Sequence, residues 1–212
     1  MIFTTPRRSP LRAVLRFLGS VLMVSGGLLV ADAGLTLVWQ EPVSAFLASR
    51  EQRQLERQLE RPPTRVIRRQ PLRGDAIGKI ELPTLDRSYF MVEGVDTGSL
   101  RKGRGHYPDT PLPGERGTVA VAGHRTTYLA PFRTIDQLDR GDRVVASMPY
   151  GRFVYRVERT RIVEPTALWV TRPVRYDRLI LTACHPLYSA AQRIVVFARF
   201  VRRQPPTLRR AP

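Results

Sequence analysis

The segment RFVYRVERTRI, residues 152–162, alternates between apolar and polar side chains. Phe153, Tyr155 and Val157 fall on one side of the chain, and charged residues such as Arg156 fall on the other. Because successive side chains of a β-strand point to opposite faces of a sheet, this alternation predicts a strand with one buried face.

Short runs of the same character recur from Ala76 onward, rich in Val, Ile, Phe, Tyr and Thr and separated by Gly, Pro or Asp. Helical patterns in this region are few and short. Regular short strands with few helices predict an all-β domain at 76–201, folded as a closed or nearly closed β-barrel. The other candidate strands are 77–82, 88–92, 118–122, 143–148, 179–183 and 194–201, and the helical patterns lie near 96–101 and 132–138.

An apolar segment precedes this domain. Residues 17–39 carry a single charge, Asp32, and about 20 apolar residues suffice to span a bilayer. Four arginines lie within residues 1–16, so the positive-inside rule predicts a transmembrane signal-anchor with a cytoplasmic basic N-terminus and an extracellular domain. A cleaved signal peptide is the alternative, because the residues at 31–33 fit the small-residue cleavage pattern, although 35–39 continue the apolar run. Both alternatives export the domain.

The segment 40–75 has a different composition. SREQRQLERQLER, residues 49–61, is a good helix former, but Leu55 and Leu59 give it an apolar stripe too narrow to bury much surface. Prolines 62 and 63 end the helix. We therefore interpret 40–75 as an extracellular helical and Pro-rich stalk and, at the other end of the domain, 202–212 as a basic flexible tail.

The net charge of +17 bounds the choice of partners. A basic surface can bind nucleic acid, anionic lipid or an anionic wall polymer. No basic run is interleaved with aromatic residues as a base-stacking platform would need, so we expect no nucleic-acid partner. No acidic cluster suggests a metal site, and we expect neither a metal nor a cofactor.

Cys184 is the only cysteine, and it stands in the string RLILTACHPLY, residues 178–188. The apolar run 179–183 predicts a strand that Pro186 cannot continue as a central strand. Cys184 is therefore expected at a strand end, where a barrel presents side chains to a cleft. A thiol at neutral pH is mostly protonated, so a nucleophilic role requires a partner base.

Three histidines could supply that base. His124 follows the candidate strand 118–122 and a glycine, which also places it at a strand end, and an imidazole can take a thiol proton and return it to a leaving amine. His185 adjoins Cys184 and is expected to face the opposite way. His106 lies in a Gly/Pro-rich loop, and we interpret it as ordering that loop.

Acyl transfer also needs a group that stabilises the developing oxyanion. Arg193 begins the next candidate strand, nine residues after Cys184, and a loop between antiparallel neighbours would return it beside the thiol. An arginine stays charged and offers several donors. Arg125 also adjoins His124, but adjacency predicts that it faces the opposite way, and we leave it out of the candidate site.

These strings together resemble a known family. AGHR at 122–125, the pattern L-x-L-T-A-C at 179–184 and Arg193 are similar to the His, Cys and Arg signatures of sortases. The resemblance covers 76–201 and is strongest to class E, with class D as the near neighbour. One departure is Ala183, where the family usually has Thr.

The resemblance implies a β-barrel of about eight strands and a cysteine transpeptidase with Cys184 as nucleophile, His124 as acid and base, and Arg193 as the oxyanion-stabilising cation. It also implies the substrates. An exported protein would be cleaved between Thr and Gly of an LPXTG-like or LAXTG-like sorting signal, through a thioacyl-enzyme. The protein would then pass to an amine of a lipid-linked peptidoglycan precursor.

Three alternatives stay open at this point. A pilin-polymerising sortase often carries an Asp-Pro-aromatic lid motif, which residues 62–75 lack. An L,D-transpeptidase or another cysteine hydrolase of the cell wall is the second alternative; the L,D-enzymes carry His and Cys in one short string, whereas His124 and Cys184 lie in separate candidate strands. A non-catalytic adhesin or scaffold would have no reason to hold His, Cys and Arg together at strand ends.

Overall fold

The computed structural model describes residues 10–38 and 42–206. The chain divides into two compact units, one ending at Pro42 and the other beginning at Val43, and each is described by itself. Parts of four predicted segments lie outside the described residues. These are 1–9 of the basic N-terminus, 39–41 at the junction of span and stalk, and 207–212 of the tail.

The first unit is one helix, α1, Pro10–Val38. Its segment Leu11–Leu35 has a mean hydropathy of 1.9 and exposes its side chains along its whole length. A helix of this length and composition can cross a bilayer. The predicted apolar N-terminal helix is therefore present, and a membrane anchor and a signal sequence would both have these properties.

The second unit contains the predicted barrel. Eight strands hydrogen-bond around a closed sheet in the order β1-β2-β3-β4-β7-β8-β6-β5, which confirms the all-β barrel. The strands are β1 Ala76–Leu82, β2 Arg87–Glu93, β3 Arg104–His106, β4 Thr118–Ala122, β5 Arg143–Met148, β6 Gly151–Val163, β7 Arg178–His185 and β8 Gln192–Gln204.

The helices of this unit are short except for the first. They are α2 Pro42–Glu60, α3 Thr64–Ile67 and α4 Thr97–Lys102, with single 3₁₀ turns at Pro83–Leu85, Ile135–Gln137 and Leu168–Thr171. The helical pattern near 96–101 corresponds to α4, where the Asp96 side chain accepts a hydrogen bond from the Ser99 amide and caps the first turn. The pattern near 132–138 yields only one 3₁₀ turn.

The alternation that predicted β6 holds in three dimensions. Phe153, Tyr155 and Val157 are buried inside the barrel, while Arg156 is exposed. A smaller apolar cluster covers part of the outer face, where Phe197 and its neighbours pack under the segment that precedes β7. Strands β4, β7 and β8 therefore bury apolar side chains on both of their faces.

Helix α2 corrects an expectation. Leu55 and Leu59 are 1% and 2% exposed, and they pack with Ala76 and Val92 against the β1–β2 side of the barrel. The narrow stripe suffices because Gln side chains of α2 also bond backbone groups of the domain. The side-chain Oε1 of Gln58, for example, accepts a hydrogen bond from the backbone amide of Ala76 at 3.3 Å. A role for 40–75 as a spacer stays a prediction.

The start of the predicted tail also differs. Residues 202–204 continue β8 rather than leaving the domain, because Arg202 and Arg203 pair with Val154 and Phe153 of β6.

The strand directions matter for the site. β4 and β7 are parallel neighbours, with Ala122 beside Thr182, whereas β7 and β8 are antiparallel. The carboxyl ends of β4 and β7 and the amino end of β8 therefore meet at one edge of the barrel.

Candidate active site

The thiol and the arginine lie on adjacent strands. Cys184 is the penultimate residue of β7, and Arg193 is the second residue of β8. The register of the two strands places them directly opposite each other. The prediction that a short antiparallel connection would return Arg193 beside Cys184 agrees with this placement.

The histidine reaches the same edge from the other side. The Gly123 amide donates to the Thr182 carbonyl at 3.0 Å, which continues the β4–β7 pairing one step beyond Ala122. His124 follows immediately, next to the strand end that carries Cys184. The structure therefore brings the three predicted residues, from β4, β7 and β8, to one edge.

Glycine at 123 is required by packing. A Cβ atom there would lie 2.6 Å from a ring carbon of Phe132, which is closer than side chains approach. The Phe132 amide donates to the His124 carbonyl at 3.0 Å, so the loop after β4 folds back over the glycine. The small residue lets this loop close against the histidine.

The surroundings of the His124 ring favour its neutral form. The ring is half-buried against Tyr128, with ring centroids 5.2 Å apart, and its buried Nε2 has no hydrogen-bond partner within the protein. Burial lowers the pKa of His124 below its usual value, and the positive charge of Arg104 lowers it further. A mainly neutral imidazole at pH 7 is suited to accepting a proton.

Arg193 is held by its own loop. Its Nη1 donates to the carbonyl oxygens of Ala190 and Gln192, both at 2.9 Å. These bonds fix the guanidinium on the β7–β8 connection, on the strand opposite Cys184. A preoriented cation in this position can stabilise negative charge that develops beside the thiol.

Arg125 is a residue that the sequence reasoning left out. It is 3% exposed, and its Nη1 lies 3.2 Å from Nδ1 of His185, the neighbour of Cys184. Its partner His185 adjoins Cys184 in β7 and is expected on the opposite face of that strand, so this contact agrees with the expectation that Arg125 faces away from His124. The string AGHR was the signal that could have identified it.

Arg104 of β3 was also missed. It is 2% exposed, its Nε and Nη2 have no protein hydrogen-bond partner, and its guanidinium carbon lies 3.8 Å from the Tyr89 ring centroid. Burial lowers its pKa well below the ordinary value for arginine, to about 9. No sequence pattern marks this residue, because arginines occur throughout the chain.

His106 lies outside this group of residues. Its Nδ1 is 2.9 Å from the Glu93 carboxylate, and its Nε2 is 3.0 Å from the Pro111 carbonyl oxygen. His106 is the last residue of strand β3, so the expectation that it lies in a loop was wrong, while its contacts do tie β2 to the loop that follows β3. Among the residues described, no group of three or more His, Cys, Asp or Glu side chains could hold a metal ion.

Comparisons with known proteins agree with this geometry. A family model described as the sortase domain matches residues 80–201. Sortase D of Bacillus subtilis is 35% identical over 136 residues, which is 62% of this chain and 67% of the relative. SrtE1 of Streptomyces coelicolor is 29% identical over 150 residues, which is 62% of this chain but only 42% of SrtE1.

Solved structures show the same fold. Sortase E from Streptomyces avermitilis superposes with a TM-score of 0.59 at 32% identity, covering 63% of this chain and 93% of that structure. A structure of sortase E1 from Streptomyces coelicolor with a tripeptide in its active site gives a TM-score of 0.58 at 26% identity, covering 62% and 91%. The matched family domain spans more than half of the chain and includes every barrel strand except the start of β1 and the end of β8, so the chain belongs to the sortase family, whose members are cysteine transpeptidases.

Proposed function

We propose that this protein is a membrane-anchored sortase in which Cys184, His124 and Arg193 carry out transpeptidation. The observation that supports this most directly is the register: Cys184 lies opposite Arg193 on β8, while the parallel strand β4 delivers His124 to the same edge. The family membership supplies the reaction class, and the residues that this edge collects supply a nucleophile, a base and a cation for it.

The first half-reaction forms a thioester. His124 takes the proton of the Cys184 thiol, and the thiolate attacks the carbonyl carbon of the Thr–Gly bond of the sorting signal. Arg193 donates hydrogen bonds to the oxyanion of the tetrahedral intermediate. When the intermediate collapses, the C–N bond breaks, and the imidazolium of His124 gives its proton to the departing glycine amine.

The second half-reaction reverses these roles. An acceptor amine attacks the thioester carbonyl, and His124 takes the proton that the amine loses. Arg193 again stabilises the oxyanion. The new amide forms, the thiolate of Cys184 leaves, and the proton on His124 restores the thiol.

The proposed donor is an exported protein with an LPXTG-like or LAXTG-like signal, and the proposed acceptor is an amine of a cell-wall precursor. Exposed apolar side chains near the catalytic strands support a peptide-binding surface. Trp169 is 41% exposed and stacks on Phe197 of β8, and Leu168 is 75% exposed. Leu187 and Tyr188 follow Cys184 in the chain and are 37% and 54% exposed.

For the location, we propose that α1 remains as a single-pass anchor with the N-terminus in the cytoplasm and the barrel outside. The length and hydropathy of Leu11–Leu35 support an anchor. The four arginines within residues 1–16, at the N-terminal end of the apolar run, support the orientation. Detection of the mature N-terminus by mass spectrometry separates this proposal from a cleaved signal peptide.

The test is peptide cleavage by the full-length chain in detergent micelles. Fluorogenic peptides with LPXTG and LAXTG sequences are offered with and without a primary amine acceptor, and the products are identified by mass spectrometry. We expect amine-dependent product from the wild type and none from Cys184→Ala or His124→Ala. Arg193→Ala should lose roughly 100-fold or more in kcat, as oxyanion donors do elsewhere.

Two outcomes contradict the proposal. One is a wild type that cleaves neither peptide. The other is a Cys184→Ala variant with wild-type activity. A product that carries a second peptide on a lysine of a pilin-like acceptor, rather than a small wall-type amine, would favour the pilin-polymerising alternative.

A further inference from the structure

The backbone pairing between β4 and β7 ends just before the proposed catalytic residues. Its last backbone contact joins Gly123 to Thr182, and the proposed catalytic residues His124 and Cys184 follow on the two strand extensions. Beyond this bond, β7 stays paired with β8 as far as His185, but no strand pairing ties the residues after Gly123 to β7, so a side-chain contact can supply that connection.

Arg125 makes that connection. Its Nη1 lies 3.2 Å from Nδ1 of His185, so the residue after His124 contacts the residue after Cys184. An arginine can only donate hydrogen bonds, so Nδ1 of His185 accepts and carries no proton. The contact therefore also selects the His185 tautomer with its proton on Nε2.

The remaining nitrogens of Arg125 hold the loop after β4. Nε and Nη2 donate to the Arg133 carbonyl at 3.4 and 3.3 Å, and Nη2 lies 3.0 Å from the Asp136 carboxylate. Tyr128, whose ring packs against His124, belongs to this loop. Arg125 thus constrains the His124 ring a second time, through the loop that covers it.

The burial of Arg125 makes the arrangement rigid. Its side chain is 2% exposed, and every nitrogen of the guanidinium has a partner, which offsets the large cost of burying a charge. Asp136 supplies the compensating charge from the surface side, where it is 50% exposed. A buried guanidinium with fixed partners on both strand extensions leaves little freedom for either.

We propose that Arg125 is a positioning residue for transpeptidation, which holds His124 and Cys184 in register through His185 and through the loop at 126–133. The inference rests on the proposed roles of His124 and Cys184. Arg125 is assigned no contact with the substrate, so its loss should lower the rate of the chemical steps more than it weakens peptide binding.

The experiment compares Arg125→Gln, Arg125→Lys and His185→Gln in the full-length chain, with peptide cleavage measured as kcat and KM. We expect Arg125→Gln to lower kcat about 30- to 100-fold with KM changed less than about threefold, because supporting residues of a catalytic group typically matter by this amount. Arg125→Lys should recover part of kcat, since an ammonium can donate to His185 but cannot also bond Arg133 and Asp136.

A double variant separates positioning from general damage. If Arg125 and His185 act through one contact, Arg125→Gln combined with His185→Gln should cost little more than the larger single effect. Arg140→Gln, an exposed arginine on the turn before β5, is the matched control and should keep wild-type kcat. Additive losses, or wild-type kcat in Arg125→Gln, overturn the inference.

A second measurement keeps the test independent of peptide turnover. Alkylation of Cys184 by iodoacetamide is followed across the titration range of imidazole in the same variants, and Arg125→Gln should alter the pH dependence because it uncouples base and thiol. An unaltered alkylation profile in Arg125→Gln contradicts the inference about Arg125, whether or not the wild type cleaves a sorting peptide. A wild type that cleaves no sorting peptide counts instead against the proposed function. If Arg125→Gln does not fold, Asp136→Asn at the exposed end of the contact should give a smaller change of the same kind.

Discussion

The buried guanidinium of Arg104 should destabilise the fold, and its removal should therefore increase stability. Two of its guanidinium nitrogens lack a protein hydrogen-bond partner. The third, Nη1, donates to the side-chain oxygen of Gln52 over a long distance of 3.4 Å. The chief compensation is the stack on Tyr89, at 3.8 Å. Among the buried arginines of the described chain, only this one has unpartnered buried nitrogens.

The magnitude follows from the pKa. Burial lowers the pKa of Arg104 from its ordinary value to about 9. At 1.36 kcal/mol per pH unit, holding the charged form at pH 7 costs about 5 kcal/mol. The stack on Tyr89 returns about 2 kcal/mol in a desolvated site. Arg104→Met keeps the apolar length of the side chain, so we expect the free energy of unfolding to rise by about 2–3 kcal/mol at pH 7.

The sign of the pH dependence is also fixed. A guanidinium whose folded pKa is lowered binds its proton more weakly in the folded than in the unfolded state. The destabilisation by Arg104 is therefore complete below about pH 9 and declines as the pH rises from about 9 toward the ordinary pKa of arginine. The advantage of Arg104→Met should shrink over the same range.

The assay is chemical unfolding of the full-length chain in micelles, followed by near-UV circular dichroism of the barrel. Arg199→Met is the matched control. Arg199 stacks on Tyr176 at a similar 3.9 Å, but it is 54% exposed and pairs with Glu158, so its loss should change stability by less than about 1 kcal/mol. A loss of stability in Arg104→Met as large as that in Arg199→Met would refute the reasoning.

The same variant tests the electrostatic link to the base. Because the charge of Arg104 lowers the pKa of His124, Arg104→Met should raise the pKa of His124 toward its ordinary value. The acid limb of kcat/KM should move to higher pH, and the imidazole signals of His124 should do the same in an NMR titration. An unmoved His124 titration would show that burial alone sets this pKa.

Two further predictions concern stability. Leu55→Ala should lower the free energy of unfolding by about 2–4 kcal/mol, as expected for a large buried side chain. The control Leu72→Ala, at a residue that is 62% exposed, should change the free energy of unfolding by less than about 0.5 kcal/mol. Equal effects would mean that α2 does not pack against the barrel. His106→Ala should cost about 3–5 kcal/mol because it leaves the Glu93 carboxylate buried without its partner, and adding Glu93→Gln should restore part of the loss in the same unfolding assay.

The sequence was sufficient for the features that repeat along the chain. Alternation in β6 identified its buried face, and apolar runs followed by glycine or proline placed His124 and Cys184 at strand ends. Strand β3 could not be found in this way. It has only three residues, and what makes it a strand is its pairing with β2 on one side and β4 on the other. Such a strand is defined by non-local contacts that a local pattern does not contain.

Helix α2 and Arg125 show a second limit. The stripe formed by Leu55 and Leu59 is narrow in any one-dimensional pattern, and only the facing surface of Ala76 and Val92 makes it sufficient. Arg125 carries no local pattern that reveals its contacts, because its contacts with His185 and Asp136 join residues that lie far apart in the chain. In both cases the deciding fact was what lies opposite the residue in space, and tertiary contacts override local patterns at such places.

Two buried arginines, Arg104 and Arg178, are predicted to have opposite effects on the free energy of unfolding. In an arginine-rich sequence, Arg104 and Arg178 look alike, and both are at most 4% exposed. Arg178, however, donates to the Thr118 hydroxyl and to the carbonyls of Val170 and Arg172, at 2.9–3.0 Å. Removing Arg178 leaves those buried oxygen atoms without this hydrogen-bond donor.

Arg178→Met should therefore destabilise the barrel by about 2–4 kcal/mol, because buried acceptors lose a charged donor, while Arg104→Met stabilises it. The two substitutions remove the same atoms from similarly buried sites, so their hydrophobic effects are nearly equal. The difference in unfolding free energy between them measures hydrogen-bond satisfaction. If both variants shift stability in the same direction by similar amounts, burial alone governs these arginines, and their hydrogen-bond partners do not decide whether each one stabilises the barrel.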